Sequence, residues 1–442
     1  VKPKKKGTRS LVKCLVCGEI FDASLEICPV CGVGKENFVP VDVEETGYEN
    51  NTHEYYVILG NGAAGFNAAK AIRERDKTGS IVMISNEPYP SYNRPMLTKS
   101  IVAGLSAEQI AIEGPRWYEE NKIYQMLGKK IKTVDMKERE VLLESGEKIQ
   151  FTRLIYALGS ECFIPPVKGS DLPEVAAIRR LSDVERVEKL MENADSAVVI
   201  GGGVLGLEAA WELKKAGMSV TVLEAAPILM GRQLDNGSAE ILKEMAAKQG
   251  VTIRTGVSVE AIEGDEHVSG VRLADGETVP AEMVIISAGV RANTELARKM
   301  DLEIGRAVKT DSHMATNVPG IYACGDCAEY EGINYAIWPE AVEQGRIAGA
   351  NAAGEELEYE PVEAALTFHG MNTALFAAGD NGKNPNLLYK TVEFRDMGKG
   401  QYRKYFFLNN RLSGVIMIGD LSEMAKMTEA LKKHALYKDV IQ

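Results

Sequence analysis

Tyr55–Gly65 reads YYVILGNGAAG, and this stretch decides the fold. The run Tyr56–Leu59 is apolar and β-prone, and it breaks into glycines at 60, 62 and 65 before Ala68, Ala69 and Ile72 set up a helical face. In a strand–turn–helix unit, Gly60 allows the tight turn, Gly62 lets backbone N–H groups approach a pyrophosphate, and Gly65 permits close helix–strand packing. Ala63 and Ala64 lie between the last two glycines at the helix start, which is then an anion site. The next apolar run, IVMIS (81–85), ends at Asn86-Glu87, where a carboxylate can accept hydrogen bonds from a ribose.

The pattern recurs at SAVVIGGGVLG (196–206), with glycines at 201, 203 and 206, Val204 and Leu205 between them, and the strand SVTVL (219–223) ending at Glu224. One such motif is weak evidence, because glycine-rich turns also serve packing alone; two in full strand–turn–helix–strand–acid context are strong. The reading is an α/β chain with two Rossmann-like dinucleotide-binding domains on parallel sheets. Two sites imply two different dinucleotides, one held permanently and one exchanging.

Outward from these motifs, the 442 residues carry a formal charge of −12, with 45% hydrophobic and 26% charged residues. That balance excludes a disordered or fibrous chain. Six Lys/Arg and no acid fall in residues 1–13, so the body is acidic, which argues against nucleic acid as a partner. No run of 18 uninterrupted apolar residues predicts a membrane span, and VKPKKKGTRSLVK lacks the apolar core of a secretory signal. The expected domains are a four-cysteine module over 1–40, a linker over 41–53, one dinucleotide domain over 54–167 and 285–363, the other over 168–284, and an α+β C-terminal domain over 364–442. Hairpins are expected at ESGE (144–147) and ADGE (274–277), and KYFFLNNRLSGVIMIG predicts two strands around a polar turn. A helix opened by Asp420, with Glu423 three residues on, puts Leu421, Met424, Thr428 and Leu431 on one face.

Cys14, Cys17, Cys28 and Cys31 form two CxxC knuckles, each followed by glycine. Paired knuckles are metal-site spacing rather than a secreted disulfide framework, so the expected compartment is a reducing cytoplasm. Four thiolates select iron or zinc. A structural zinc ribbon uses the same ligands and spacing.

ALGS (157–160), IYACGDCAE (321–329) and WPEAVEQGRIAGANAAG (338–354) resemble the FAD-contacting motifs of two-dinucleotide flavoprotein reductases, and YNRPMLTK (92–99) is similar to the NADH:rubredoxin oxidoreductase and ferredoxin-reductase branch. The resemblance covers about residues 54–442. It implies that Gly60, Gly62, Ala63, Ala64, Gly65 and Glu87 hold the ADP part of FAD, that Arg94 approaches its phosphates, and that Asp326 bonds the ribityl chain. Ile131, Ala157 and Gly159 complete that set, while Gly201, Gly203, Val204, Leu205, Gly206, Glu224 and Gly289 are implied for NADH. Glu224 should favour NADH, because a carboxylate accepts from the 2′-hydroxyl and repels a 2′-phosphate. Arg232 is expected to pair with Asp235.

The segment CLVCGEIFDASLEICPVCGVGKENF (14–38) resembles the short rubredoxin domain of rubrerythrins, with Phe21 and Phe38 as its aromatic core. Attachment to an NADH flavoprotein favours iron there, since zinc accepts no electrons. Lys99 and Glu208 are the expected catalytic pair, Lys99 stabilising reduced flavin and Glu208 orienting Lys99 and the nicotinamide. Trp338 is expected either beside the flavin as a stacking or electron-exit group, or as a core aromatic. PSYNRPMLTKS (90–100) holds no redox cysteine, and Cys324, Cys327 and Cys162 are expected to be inert. The sequence therefore reads as an NADH-dependent FAD reductase feeding its own iron carrier, with an outside acceptor that is rubrerythrin-, flavodiiron- or rubredoxin-like, or a small molecule. The rivals are a direct NADH-dependent reductase of a small molecule or O₂ with a zinc-stiffened module, a non-enzymatic FAD-binding interaction protein, and a nitrite-reductase large subunit, which would need a further haem-binding domain.

Overall fold

The computed structural model describes residues 11–14, 20–28, 33–41, 47–361, 365–396 and 398–441. Two parallel five-stranded sheets carry the two glycine motifs. In the first, the strand order is Ile321–Ala323, Arg153–Tyr156, Tyr55–Leu59, Ser80–Ile84, Ile123–Met126. In the second it is Val175–Ala176, Met283–Ile286, Ser196–Ile200, Ser219–Glu224, Val251–Thr255. In each sheet the motif strand is central, buried on both faces, and therefore near-continuously apolar. Met283–Ile286 pairs in register with Ala197–Ile200, so the chain returns to the first domain after Ile286, beyond the boundary read at 284.

Each dinucleotide domain carries a three-stranded antiparallel flap containing one of the expected hairpins. Gly146 and Gly276 sit in those turns at φ +89° and +90°, a region open to glycine at no steric cost. The C-terminal domain is a five-stranded antiparallel sheet, ordered Ala365–Gly370, Thr373–Gly379, Arg411–Ile418, Gln401–Leu408, Lys390–Asp396. Asn409-Asn410, both at positive φ, make the tight turn between its two long strands. The last long helix begins at Met424, not at Asp420, because Asp420 is drawn aside by Arg403 at 2.6 Å and by the Ser422 amide at 3.0 Å. Its buried face is Met424, Met427, Thr428 and Leu431.

The N-terminal segment forms a small antiparallel sheet, Ile20–Asp22, Leu11–Cys14, Phe38–Val41, with the Phe21 and Phe38 rings edge to face at 4.8 Å. Cys14 and Cys28 are buried, and the Cys28 N–H donates to Val33 O at 2.8 Å. Cys17 and Cys31, the other two expected thiolate ligands, lie outside the described residues. Among the described residues no group of three potential metal ligands occurs. Cys14, Phe21, Cys28 and Val33 belong to one buried cluster with Phe376, Tyr405, Phe407, Val415 and Met417 of the C-terminal sheet. The far end of the expected linker is fastened down: Asn50 Nδ2 donates to Ala353 O at 3.0 Å, and the Thr52 hydroxyl donates to Asp76. Among the described residues no helix is long and apolar enough to cross a membrane.

Candidate functional site

The strand Tyr55–Leu59 delivers Gly60 at φ +103°, where an added Cβ would stand 2.2 Å from Ala157 O. A Cβ on Gly65 would meet Gly60 O at 2.1 Å. The turn is thus pressed against the neighbouring strand, and the helix Ala63–Arg75 starts with its amides open towards a cavity of about 1250 Å³. That volume exceeds the roughly 300–1,000 Å³ of ordinary small-molecule pockets and suits an extended dinucleotide. Gly60, Gly62, Ala63, Ala64, Glu87, Arg94, Lys99, Ile131, Ala157, Gly159, Asp326 and Trp338 all line it. Gly65 does not, since its part is to let helix and strand touch.

Two clusters of charge sit in the wall. The Glu87 carboxylate is buried and accepts from Tyr92 OH at 2.6 Å and Arg94 Nη2 at 2.5 Å. Burial, with Glu87 beside it, pushes the Tyr92 phenol up against the opposite pull of Arg94, so Tyr92 remains a donor. Arg94 lies over Gly62, its Nε 3.9 Å from where a Cβ would be. Asp326, on the turn after Ile321–Ala323, accepts from Arg179 Nη2 and from Ser160 Oγ, each at 2.7 Å. Arg179 also donates to Ser160 O at 2.9 Å, and its own carbonyl accepts from Arg94 Nη1 at 2.9 Å. Arg179 is a site residue that the sequence reading missed; its only local signal is an arginine pair ahead of Asp183, whose carboxylate caps that helix start.

Lys99 and Glu208 meet across the domain boundary at 3.2 Å, one from the short helix Leu97–Ala103 and the other from the helix Val204–Lys215 of the second motif. Glu208 is buried and also accepts from Thr98 Oγ1 at 2.6 Å. The second cradle repeats the first: Gly201 at φ +119° would put a Cβ 2.2 Å from Ser287 O, and one on Gly206 would meet Gly201 O at 2.1 Å. Glu224 accepts from the Gly202 and Ala226 amides, both at 2.6 Å, which holds its carboxylate at the strand end with lone pairs to spare. Of this set only Val204, Leu205 and Glu208 reach the cavity wall; Gly201, Gly203, Gly206, Glu224 and Gly289 do not.

Arg232 does line the cavity, but among the described residues no ion pair joins it to Asp235. Asp235 instead caps the helix Asn236–Lys248 through Ser238 and pairs with Lys404 at 2.5 Å. Cys324 and Cys327 are fully buried; burial pushes the Cys327 thiol up to about 12, and its Sγ donates to Tyr156 O and Cys324 O. Burial also pushes Cys162 up, in keeping with an inert thiol. Trp338 opens the helix Trp338–Ala352, lines the cavity, and packs against the cluster that contains Cys14 and Cys28. Two strand segments of the C-terminal sheet, 365–367 and 377–379, close the remaining wall.

The model of the pyridine nucleotide-disulphide oxidoreductase family matches residues 55–353, and that of the rubredoxin NAD+ reductase C-terminal domain matches residues 365–435. The NAD(P)H nitrite reductase of Bacillus subtilis is 33% identical over 383 residues, 86% of this chain but 47% of that protein, so the chain spans about half its length. The NADH-rubredoxin oxidoreductase of Clostridium acetobutylicum is 29% identical over 385 residues, 87% of this chain and 96% of that one. Its crystal structure superposes with a TM-score of 0.73 at 28% identity, covering 88% of this chain and 97% of that chain. With the family model matched across both cradles, over more than half of the sequence, the chain belongs to the pyridine nucleotide-disulphide oxidoreductase family.

Proposed function

We infer that the protein is an NADH-dependent FAD reductase whose first electron acceptor is its own four-cysteine module, loaded with iron on Cys14, Cys17, Cys28 and Cys31. The observation that carries this reading is Trp338, which lines the cavity and packs against the buried cluster that contains Cys14 and Cys28. FAD, when bound, supplies a two-electron acceptor that can release electrons singly. The residues present suit it. A glycine cradle opens on a helix start, Arg94 stands beside the phosphate seat, and Asp326 is held by Arg179 and Ser160 in the wall.

The chain's own groups divide the work. Glu208, accepting from both Thr98 and Lys99, fixes the Lys99 ammonium at the junction of the two dinucleotide domains. A cation held there stabilises negative charge developing on a reduced ring system without reorganisation. Glu224 presents acceptor lone pairs to a ribose and disfavours a 2′-phosphate, so NADH is the donor. The buried Cys14 and Cys28 provide soft donors suited to iron. An external redox protein of rubredoxin, rubrerythrin or flavodiiron type, or a small molecule, then takes the electrons.

The test is a metal analysis with absorption spectra of the full-length protein, oxidised and NADH-reduced, beside Cys28→Ser. The expected result is iron with a thiolate charge-transfer spectrum that NADH bleaches. Cys28→Ser should lose that spectrum and cytochrome c reduction while keeping NADH-reducible flavin. Zinc with a flavin-only spectrum, or a Cys28→Ser protein that reduces cytochrome c at full rate, would replace this reading with a direct flavin reductase.

A further inference from the structure

A chain of buried hydrogen bonds runs behind the cavity wall. On the first turn of the helix Trp338–Ala352, Glu340 accepts from Tyr359 OH through Oε2. Tyr359 OH in turn accepts from Gln344 Nε2 at 3.2 Å, and Gln344 Oε1 accepts from the Gly325 N–H at 2.9 Å. Glu340, Gln344 and Tyr359 are each no more than 2% exposed. Gly325 lines the cavity, immediately before Asp326.

The direction of this chain is set at one end. The Tyr359 hydroxyl donates to the Glu340 carboxyl, which leaves its lone pairs to Gln344. The Gln344 amide is then oriented with its NH₂ towards Tyr359 and its carbonyl towards Gly325. Were the amide reversed, its NH₂ would face the Gly325 N–H, and a buried donor would be left without its partner. Burial, followed by the bond to Glu340, pushes the Tyr359 phenol up, so it keeps the proton it donates.

The parts around the chain leave little slack. The helix is locked sideways, since a Cβ on Gly345 would stand 2.2 Å from Ala64 O and one on Gly349 2.3 Å from Ala68 O. Tyr359 is held by its own N–H donating to Ser312 O at 2.6 Å and by the Tyr330 ring edge at 5.2 Å. Gly325 sits at φ +78°, where a Cβ would be 2.8 Å from that of Ala64.

We propose that Glu340 is a positioning residue for the flavin site, acting through Tyr359 and Gln344 to hold the Gly325–Asp326 turn so that Asp326 faces the cavity. The inference rests on reading the cavity as the seat of FAD. It predicts that losing the Glu340 carboxyl, or the hydroxyl that passes its direction on, loosens the flavin without touching the NADH cradle.

The experiment measures FAD release from the full-length holoprotein by recovery of flavin fluorescence, together with visible circular dichroism of the bound flavin. Glu340→Gln, which matches the carboxylate in shape, and Tyr359→Phe, which removes one oxygen, should each release FAD about tenfold faster, a loss of about one factor of ten in affinity. Each should alter the visible dichroism band while leaving the KM for NADH within about twofold of wild type. Either variant holding FAD at the wild-type rate with an unchanged band overturns the proposal, even if its melting temperature falls. Should Glu340→Gln fail to fold, Tyr359→Phe decides alone. Wild-type protein that takes up no FAD would instead remove the flavin reading, and this inference with it.

Discussion

The two dinucleotide-binding domains use the same backbone device and enclose it differently. Gly60 and Gly201 both take positive φ, +103° and +119°, and each would drive a Cβ to 2.2 Å from the carbonyl just past the end of the adjoining strand. Yet the first cradle opens into the large cavity, roofed by the C-terminal sheet and by Trp338, whereas the second reaches it only through Val204, Leu205 and Glu208. Leu205 is 48% exposed, and nothing lies within 4 Å of a Cβ placed on Gly203. The glycine cradle is therefore a local property of strand, turn and helix, while how far it is covered depends on what the rest of the chain folds over it.

The sharpest way to break this comparison is one methyl group in each cradle. At Gly60, a left-handed backbone penalty of about 1–3 kcal/mol adds to an overlap of similar cost, together about 4 kcal/mol or roughly 10³-fold in FAD affinity. Gly60→Ala should therefore purify colourless, whereas Gly201→Ala should stay yellow and lose its reduction by NADH. A colourless Gly201→Ala protein would mean that the two seats are not separate.

A smaller effect is expected where the domains meet. Lys99→Ala should keep FAD but slow its reduction by NADH by about 10²-fold, the usual scale for one preorganised electrostatic group. Unchanged stopped-flow rates would take Lys99 out of the chemistry and leave its 3.2 Å contact with Glu208 as a domain tie.

Smaller again, Glu224→Gln should raise the KM for NADH and narrow its advantage over NADPH about tenfold, the scale of one charge-assisted bond. Steady-state kinetics with both nucleotides read this directly. Equal use of NADPH by the wild type would show that Glu224 does not set the preference.

The least effect concerns how the first domain's edge is fastened. Burial draws the Asp76 carboxyl up, but bonds from Thr52, Gly79, Thr78 and Tyr56 outweigh it and hold the group well below the usual carboxylate range. Its stabilisation is complete above the ordinary carboxylate pKa of about 4 and is lost as pH falls from there towards the depressed value. Asp76→Asn should lower the melting temperature at pH 7 by about 2–4 °C and remove part of the slope below about pH 4. A variant with an unchanged acid profile would show that Thr52 and Asp76 do not fasten this edge.

Much of the molecule was legible because it is written in local rules. Gly60, Gly62 and Gly65 stand where the turn needs them, the hairpins fall on Gly146 and Gly276, and Asn409-Asn410 turns as its composition demands. What escaped was partnership over long chain distance. Asp235 took Lys404, 169 residues away, rather than the nearby Arg232. Asp420 went to Arg403 and not to a helix start, which moved that start to Met424. Arg179 closes on Asp326 across 147 residues, and no spacing in the sequence announces it.

The sequence by itself determined the two glycine cradles, the acids at the strand ends and the cysteine spacing, because each depends on φ/ψ limits and side-chain chemistry within a few neighbouring residues. Only the tertiary structure decided that the first cradle opens into the large cavity while the second reaches it through the helix Val204–Lys215, that Trp338 both lines that cavity and packs against the cluster that contains Cys14 and Cys28, and that Arg179, Lys404 and Tyr359 complete charges and bonds begun elsewhere. Buried polar groups must find partners wherever the chain's packing brings them, and that packing is settled by the whole apolar core rather than by any one segment.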